Sequence, residues 1–321
     1  MTTKSDNGFF YPIKEFSRHE SAFYIIQNHG GHCFDRNGAF VHDSNDWAHL
    51  IQKPGGFSPP TIGSNATIID EDVIPVISGF RTGVHAYVGI LSILMNYIDN
   101  KEQLKNKKLL VYNNAQEGIL QIIDYLADIN HIERSDIIYL DPDVLYQFNS
   151  VTIIPNSLHS YFENDEIRDN IGRFVNNNLT TKEPTTFRKI SIIKHHSSGV
   201  SSTMGSIDYE LAKSISKKNG YELLEPSEVG EIDLINYLYN AEKLLFSWGT
   251  TFMKNFIYIS DSCNKIDVLI TGHHFKQEYD SLIGRGVLPP KFKNANITYH
   301  LEPDFVNLTI PNPNLPLSGD L

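Results

Sequence analysis

Residues 188–260 alternate apolar runs of strand length with stretches of helical period, and that alternation admits few folds. The order is strand, Ser- and Gly-rich loop, helix, strand, helix and strand, after which Ser247-Trp248-Gly249-Thr250-Thr251 opens a further helix. Such an order predicts parallel β-α-β units. Two of its turns, polar or Gly-bearing, each lead into a helix N-terminus, where unpaired backbone N–H groups and the helix dipole favour an anion. A phosphate-bearing ligand at the carboxyl ends of the strands is therefore expected.

The upstream half reads as α/β too. Strands are predicted at 73–77, Lys108–Tyr112, Ile137–Leu140 and 151–155, and helices at 84–98, 116–127 and 165–177. The helix at 116–127 carries Ile119, Ile122, Ile123 and Leu126 at i, i+3, i+4 and i+7. The first 72 residues, rich in Gly, Pro, Asn and His, read as short strands and loops closed by the turns at 53–60. The polar stretch 176–184 reads as a linker. At 321 residues the chain exceeds one ordinary core. The expected division is an N-terminal α/β domain over 1–180, a Rossmann-like domain over 185–275, and a segment 276–321 that packs back on the first domain. In the second domain, strands are predicted at 189–193, 221–224, 244–247 and 266–271. The helix after Gly205 takes Ser206 as its N-cap, with an apolar stripe of Ile207, Leu211 and Ile215.

Charge and cysteine use narrow the function classes. A formal net charge of -11 argues against nucleic acid, whose phosphates need clustered Lys and Arg. Cys33 and Cys263 stand far apart without metal-ligand spacing, which argues against a zinc site and a disulfide framework and fits a reducing, cytoplasmic setting. No leader peptide and no transmembrane segment is expected. Asp141-Pro142-Asp143 matches an Asp-x-Asp metal-diphosphate pattern, but it is also a common turn, and the turn is the preferred reading.

The runs 188–194 (RKISIIK), 220–226 (GYELLEP) and 241–251 (AEKLLFSWGTT) together resemble the carboxyl half of glycosyltransferase family 61. Gly83-Val84-His85-Ala86-Tyr87, the run 138–143 and the run 151–155 follow the family's order upstream, so that the resemblance covers about 73–275. The chain has Lys194 where the family usually has Arg and Trp248 where it usually has His. The family's Arg and Asn-Glu after that strand have no counterpart within 197–209. The resemblance implies a GT-B-like α/β fold, two Rossmann-like domains facing a central cleft. It also implies an inverting transferase that takes a nucleotide sugar, UDP-xylose and UDP-N-acetylglucosamine among the donors, and needs no bound metal or other cofactor. The partners implied are the nucleotide sugar and a glycan acceptor.

Under that resemblance His85 is the candidate general base, since an imidazole titrates near working pH; a structural histidine on an apolar helix is the alternative. Lys194 is a candidate cation for the donor diphosphate and Arg81 for the donor phosphates or an acidic acceptor, each also readable as a surface charge. Ser247, Gly249, Thr250 and Thr251 form the expected cradle at a helix N-terminus, with Asn255 on that helix. Trp248 is a candidate stacking surface or a core residue. Glu225 is a candidate ribose contact, and Ser198, in the loop after His195-His196, a phosphate or acceptor contact. A non-catalytic glycan- or nucleotide-binding protein of the same fold is the rival reading.

Overall fold

Runs such as Lys108–Tyr112 and Lys243–Ser247 are apolar without alternation, the pattern of parallel strands covered on both faces. In a computed structural model of the chain both lie inside sheets. The structure describes residues 16–27, 30–39, 41, 65–77, 83–154, 165–181, 185–195, 206–249, 254–270, 277, 280 and 295–301. The chain divides into two units, Met1–Tyr161 and Phe162–Leu321.

The first unit holds β1 (Ser17–Glu20), β2 (Phe23–Gln27), β3 (Gly30–Phe34), β4 (Thr67–Pro75), α1 (Gly83–Asp99), β5 (Lys108–Tyr112), α2 (Glu117–Asp128), β6 (Ile137–Leu140) and β7 (Leu145–Ile153). Its sheet runs β3-β2-β7-β4-β5-β6, with β1 also on β7. Strands β7, β4, β5 and β6 are parallel, whereas β1, β2 and β3 pair antiparallel. The sheet is thus mixed, and only its β4-β5-β6 half has the β-α-β form expected of a Rossmann-like domain. β1 and β2 share one edge of β7 and meet at Ser21, whose φ of 49° turns the chain while its N–H donates to the Asn149 carbonyl at 2.7 Å. β7 starts six residues before the predicted run because Tyr146, Phe148 and Ser150 face inward alternately. α1 is buried along most of its described length, as its continuous apolar sequence requires.

The second unit holds α3 (Asp165–Asn178), β8 (Lys189–Ile192), α4 (Tyr209–Lys218), β9 (Glu222–Leu223), α5 (Glu231–Asn240), β10 (Lys243–Ser247), β11 (Lys265–Ile270) and β12 (Asn296–Leu301). All five strands are parallel, in the order β12-β11-β10-β8-β9. The chain therefore adds β9 on one side of β8 and β10 on the other, a doubly wound sheet whose switch point lies between β8 and β10. α4 begins at Tyr209 with Asp208 as its cap, accepting the Leu211 N–H at 3.1 Å, two residues later than the predicted Ser206. Ile207 instead pairs with His195 and packs in the core below the helix.

Two domain boundaries differ from expectation. The division falls at Tyr161, before α3, because α3 packs on the short helical turn Phe256–Tyr258 of the second unit. The described part of the expected linker is pinned to that unit as well, with the Thr181 N–H donating to Asn236 of α5 at 2.8 Å. Of the segment 276–321, residues 296–301 do not return to the first unit's sheet but form β12, register-matched to β11 through Ile270↔Leu301. The turn cluster at 53–60 lies outside the described residues.

β11 carries one charge into its interior. Asp267 has 0% exposure and accepts from the Tyr221 hydroxyl at 3.0 Å and His300 Nε2 at 2.9 Å, and Lys265 Nζ is 3.2 Å away. Burial first, and then the neighbouring Asp267 charge, push the Tyr221 hydroxyl well above its ordinary range. Among the described residues no helix is long and apolar enough to cross a membrane.

Cys33 sits in the first unit's core and Cys263 in the second's, and burial pushes both thiols up to about 12. An unfolded thiol titrates near 8.5. Above that pH the unfolded chain binds fewer protons than the native one, so stability falls as pH rises toward 12. Each thiol is expected to remove about 1.4 kcal/mol per pH unit above roughly pH 9. Urea unfolding between pH 8 and 10.5 reads the slope, and Cys33→Ala or Cys263→Ala should flatten it. An unchanged slope in both variants would count against the thiols.

Candidate functional site

The carboxyl ends of β8, β9 and β10 gather several of the candidate residues. β8 and β10 are in register up to Ile192↔Phe246. Beyond that point the ladder is replaced by a side chain: the Lys194 N–H donates to the buried Ser247 hydroxyl at 2.6 Å. The Ile207 N–H donates to the Lys194 carbonyl at 3.2 Å, so residues 194 and 195 are held from both sides. This is the crevice in which doubly wound sheets bind ligands.

His195 is 3% exposed, and its Nε2 lies 2.6 Å from Oε1 of Glu225, two residues past β9. An ionised carboxylate only accepts, so Nε2 carries the proton in this pair. The His195 ring also meets Tyr209, the first residue of α4, edge-on at 4.6 Å between centroids. Lys194, His195, Glu225 and Ser247 thus come from three neighbouring strands, with Tyr209 closing the group. Chemically, the pair of a short charge-assisted bond and a lysine at parallel strand ends suits an anionic or hydroxyl-bearing ligand.

Two donor-contact expectations are corrected here. The Trp248 ring is 2% exposed and packs edge-on against Tyr299 of β12 at 5.9 Å, so it is a core residue and not a stacking surface. The Trp248 backbone N–H donates to the Leu269 carbonyl at 2.7 Å. Ser247 is likewise turned inward: its hydroxyl fixes Lys194, making it a positioning residue. Glu225 spends one oxygen on His195, which the ribose reading did not foresee. Gly249 has φ 104°, a conformation glycine adopts without strain, and it turns the chain out of β10.

Asn255 is buried, and its Oδ1 has no hydrogen-bond partner among the described residues. Its segment is anchored by Glu231 at the start of α5, which accepts from Lys254 Nζ at 2.7 Å and the Tyr258 hydroxyl at 2.8 Å. His85 occupies the first turn of α1, after the carboxyl end of β4 in the first unit. Its side chain, together with Arg81, Ser198, Thr250 and Thr251, lies outside the described residues. Asp141-Pro142-Asp143 forms the β6–β7 turn, with Asp143 at φ 61° and the Asp141 N–H near the Tyr146 hydroxyl at 3.1 Å. Among the described residues no group of three or more His, Cys, Asp or Glu is placed to hold a metal ion.

Sequence reading missed the His195–Glu225 pair and Tyr209. The signal was present but split: each residue follows a predicted strand or opens a helix, and their meeting depends on β8 and β9 pairing parallel through Ile190↔Glu222. No protein-family model matches the chain, and no curated protein does either.

Proposed function

We propose that this protein is an inverting glycosyltransferase that moves a sugar from a nucleotide-sugar donor, UDP-linked, to a hydroxyl of a glycan acceptor. The observation that carries the reading is the constellation at the switch point of the all-parallel sheet, where Lys194, the His195–Glu225 pair and the Gly249 turn converge. The finer architecture belongs to the same proposal: two domains of GT-B type, the first Rossmann-like only in its β4-β5-β6 half, with the second taking the donor and the first the acceptor. So do UDP-xylose or UDP-N-acetylglucosamine as donor, independence of a metal ion, and a cytoplasmic setting.

In this reaction the acceptor oxygen attacks the anomeric carbon from the side opposite the diphosphate. The acceptor C–O bond forms, the bond to the diphosphate oxygen breaks, and the acceptor proton passes to His85 as general base. The departing UDP gains charge, which Lys194 meets. Ser247 holds the Lys194 backbone, and Glu225 holds the His195 ring, so that little has to reorganise during the step.

A second reading is a nucleotide- or glycan-binding protein without turnover, favoured by the inward-turned Trp248 and Ser247. Incubation with UDP-sugars and acceptor glycans in chelator separates the two, with UDP release and the anomeric configuration of the product as readouts. His85→Ala is expected to lower turnover by about 10²–10⁴-fold while UDP binding stays. UDP binding with no transfer supports the binding protein; no UDP binding at all sinks the donor site.

A further inference from the structure

The surface of the second unit carries a groove of about 730 Å³ alongside α4, bounded by segment 186–189 and the edge strand β9. Four cations line it: Arg188, Lys189, Lys213 and Lys217, against the single carboxylate of Glu222. Among the described residues no carboxylate comes within ion-pair distance of Lys189, Lys213 or Lys217; Arg188 shares an exposed contact of 3.5 Å with Glu242. Lys213 and Lys217 stand four residues apart on one face of α4, where like charges repel by about 0.2–0.5 kcal/mol. A cationic groove on a chain of net charge -11 is a local reversal of the protein's own field.

Residues at both ends of α4 line the groove. Gly220, with φ 70°, ends α4, and a Cβ there would lie 3.8 Å from Lys189 Nζ. At the other end Lys213 Nζ sits 5.7 Å above the half-buried Tyr209 ring. Tyr209 in turn touches His195, so the groove runs along α4 and ends beside the His195–Glu225 pair.

We propose that this groove binds an acidic oligosaccharide, bearing uronic carboxylates or sulfates, with its chain lying along α4. The anionic character rests on the groove alone; the choice of a carbohydrate rests on the transferase reading. Nucleic acid fits less well. Single strands are held by successive exposed aromatic platforms. Here Phe187 is packed on Tyr237 at 6.0 Å, and Tyr209 is already under Lys213.

The test is calorimetric titration of the full chain with a tetrasaccharide of alternating uronic acid and N-acetylhexosamine, a neutral tetrasaccharide, and a single-stranded DNA of equal charge. The acidic sugar should bind tightest, weaken with salt, and lose about tenfold or more in affinity in Lys213→Glu/Lys217→Glu. Equal binding of acidic and neutral sugars, or no loss in the variant, overturns the proposal. Tighter binding of the DNA through the same lysines overturns it in favour of nucleic acid. UDP titrated into the same samples reports on the donor site separately: its binding should be unchanged in the double variant. A failed groove with intact UDP binding, and a failed donor site with intact groove binding, are therefore distinct results.

Discussion

Replacing Asp267 by alanine is expected to lower the unfolding free energy of the second unit by about 3–5 kcal/mol, the usual cost of breaking a buried charge pair. The carboxylate has no exposure and is met by the Tyr221 hydroxyl, His300 Nε2 and Lys265 Nζ. Those groups lie on β11, on β12 and just ahead of β9, so one side chain links β11 to both edges of the sheet. Its removal leaves a hydroxyl, an imidazole and an ammonium in or near the core without their acceptor, and each unanswered donor costs about 1–3 kcal/mol. Asp267→Asn keeps one acceptor oxygen and should cost less. Urea unfolding followed by Trp248 fluorescence in a Trp47→Phe background reads this unit, because Trp248 is buried against Tyr299. A loss under about 1 kcal/mol for the alanine variant would mean that the network is relaxed by its neighbours, contrary to the expected cost.

Under the proposed transferase reading, replacing Lys194 by alanine is expected to lower turnover of a UDP-sugar by about 10²–10³-fold, the range for removing one donor to a developing negative charge. Lys194 stands at the carboxyl end of β8, and its backbone is fixed by Ser247 on one side and Ile207 on the other. That fixed backbone sets where the ammonium can reach, and preorganisation of this kind makes a single charge effective in a crevice. Lys194→Arg keeps the charge and should keep most of the rate. Ser247→Ala leaves the lysine in place but frees its N–H, so a smaller loss is expected, seen in kcat more than in UDP affinity. Steady-state kinetics and UDP titration on the three variants decide it. Full turnover by Lys194→Ala with native Trp248 fluorescence would remove Lys194 from the donor site.

Element positions were legible where local pattern carries them. β5 and β6 coincide with the predicted runs, and α1, α2 and α3 differ by a residue or so, because burial on both faces or on one helical stripe is written into consecutive residues. The antiparallel strands β1 to β3 were hidden among Gly, His and polar residues. β1 and β2 pair with β7, more than a hundred positions away, and β3 joins the sheet through β2. β12 was read as part of a segment crossing to the other domain for the same reason: six residues of ordinary apolar content do not say which edge they join.

The candidate site divides along the same line. Residue order placed Lys194, Glu225 and the Ser247–Gly249 turn after successive strands of a β-α-β series, and chain chemistry alone required that such positions fall at carboxyl ends. Side-chain direction was another matter. The burial of Trp248 against Tyr299, the inward Ser247 hydroxyl and the His195–Glu225 bond all follow from lateral strand order and register. Those are set by the packing of the whole sheet, since a ladder pairs residues distant in sequence and a one-residue slip reverses every side chain. Local sequence therefore decides which elements form and which residues end them. The fold in three dimensions decides which of those residues meet and which are left facing solvent.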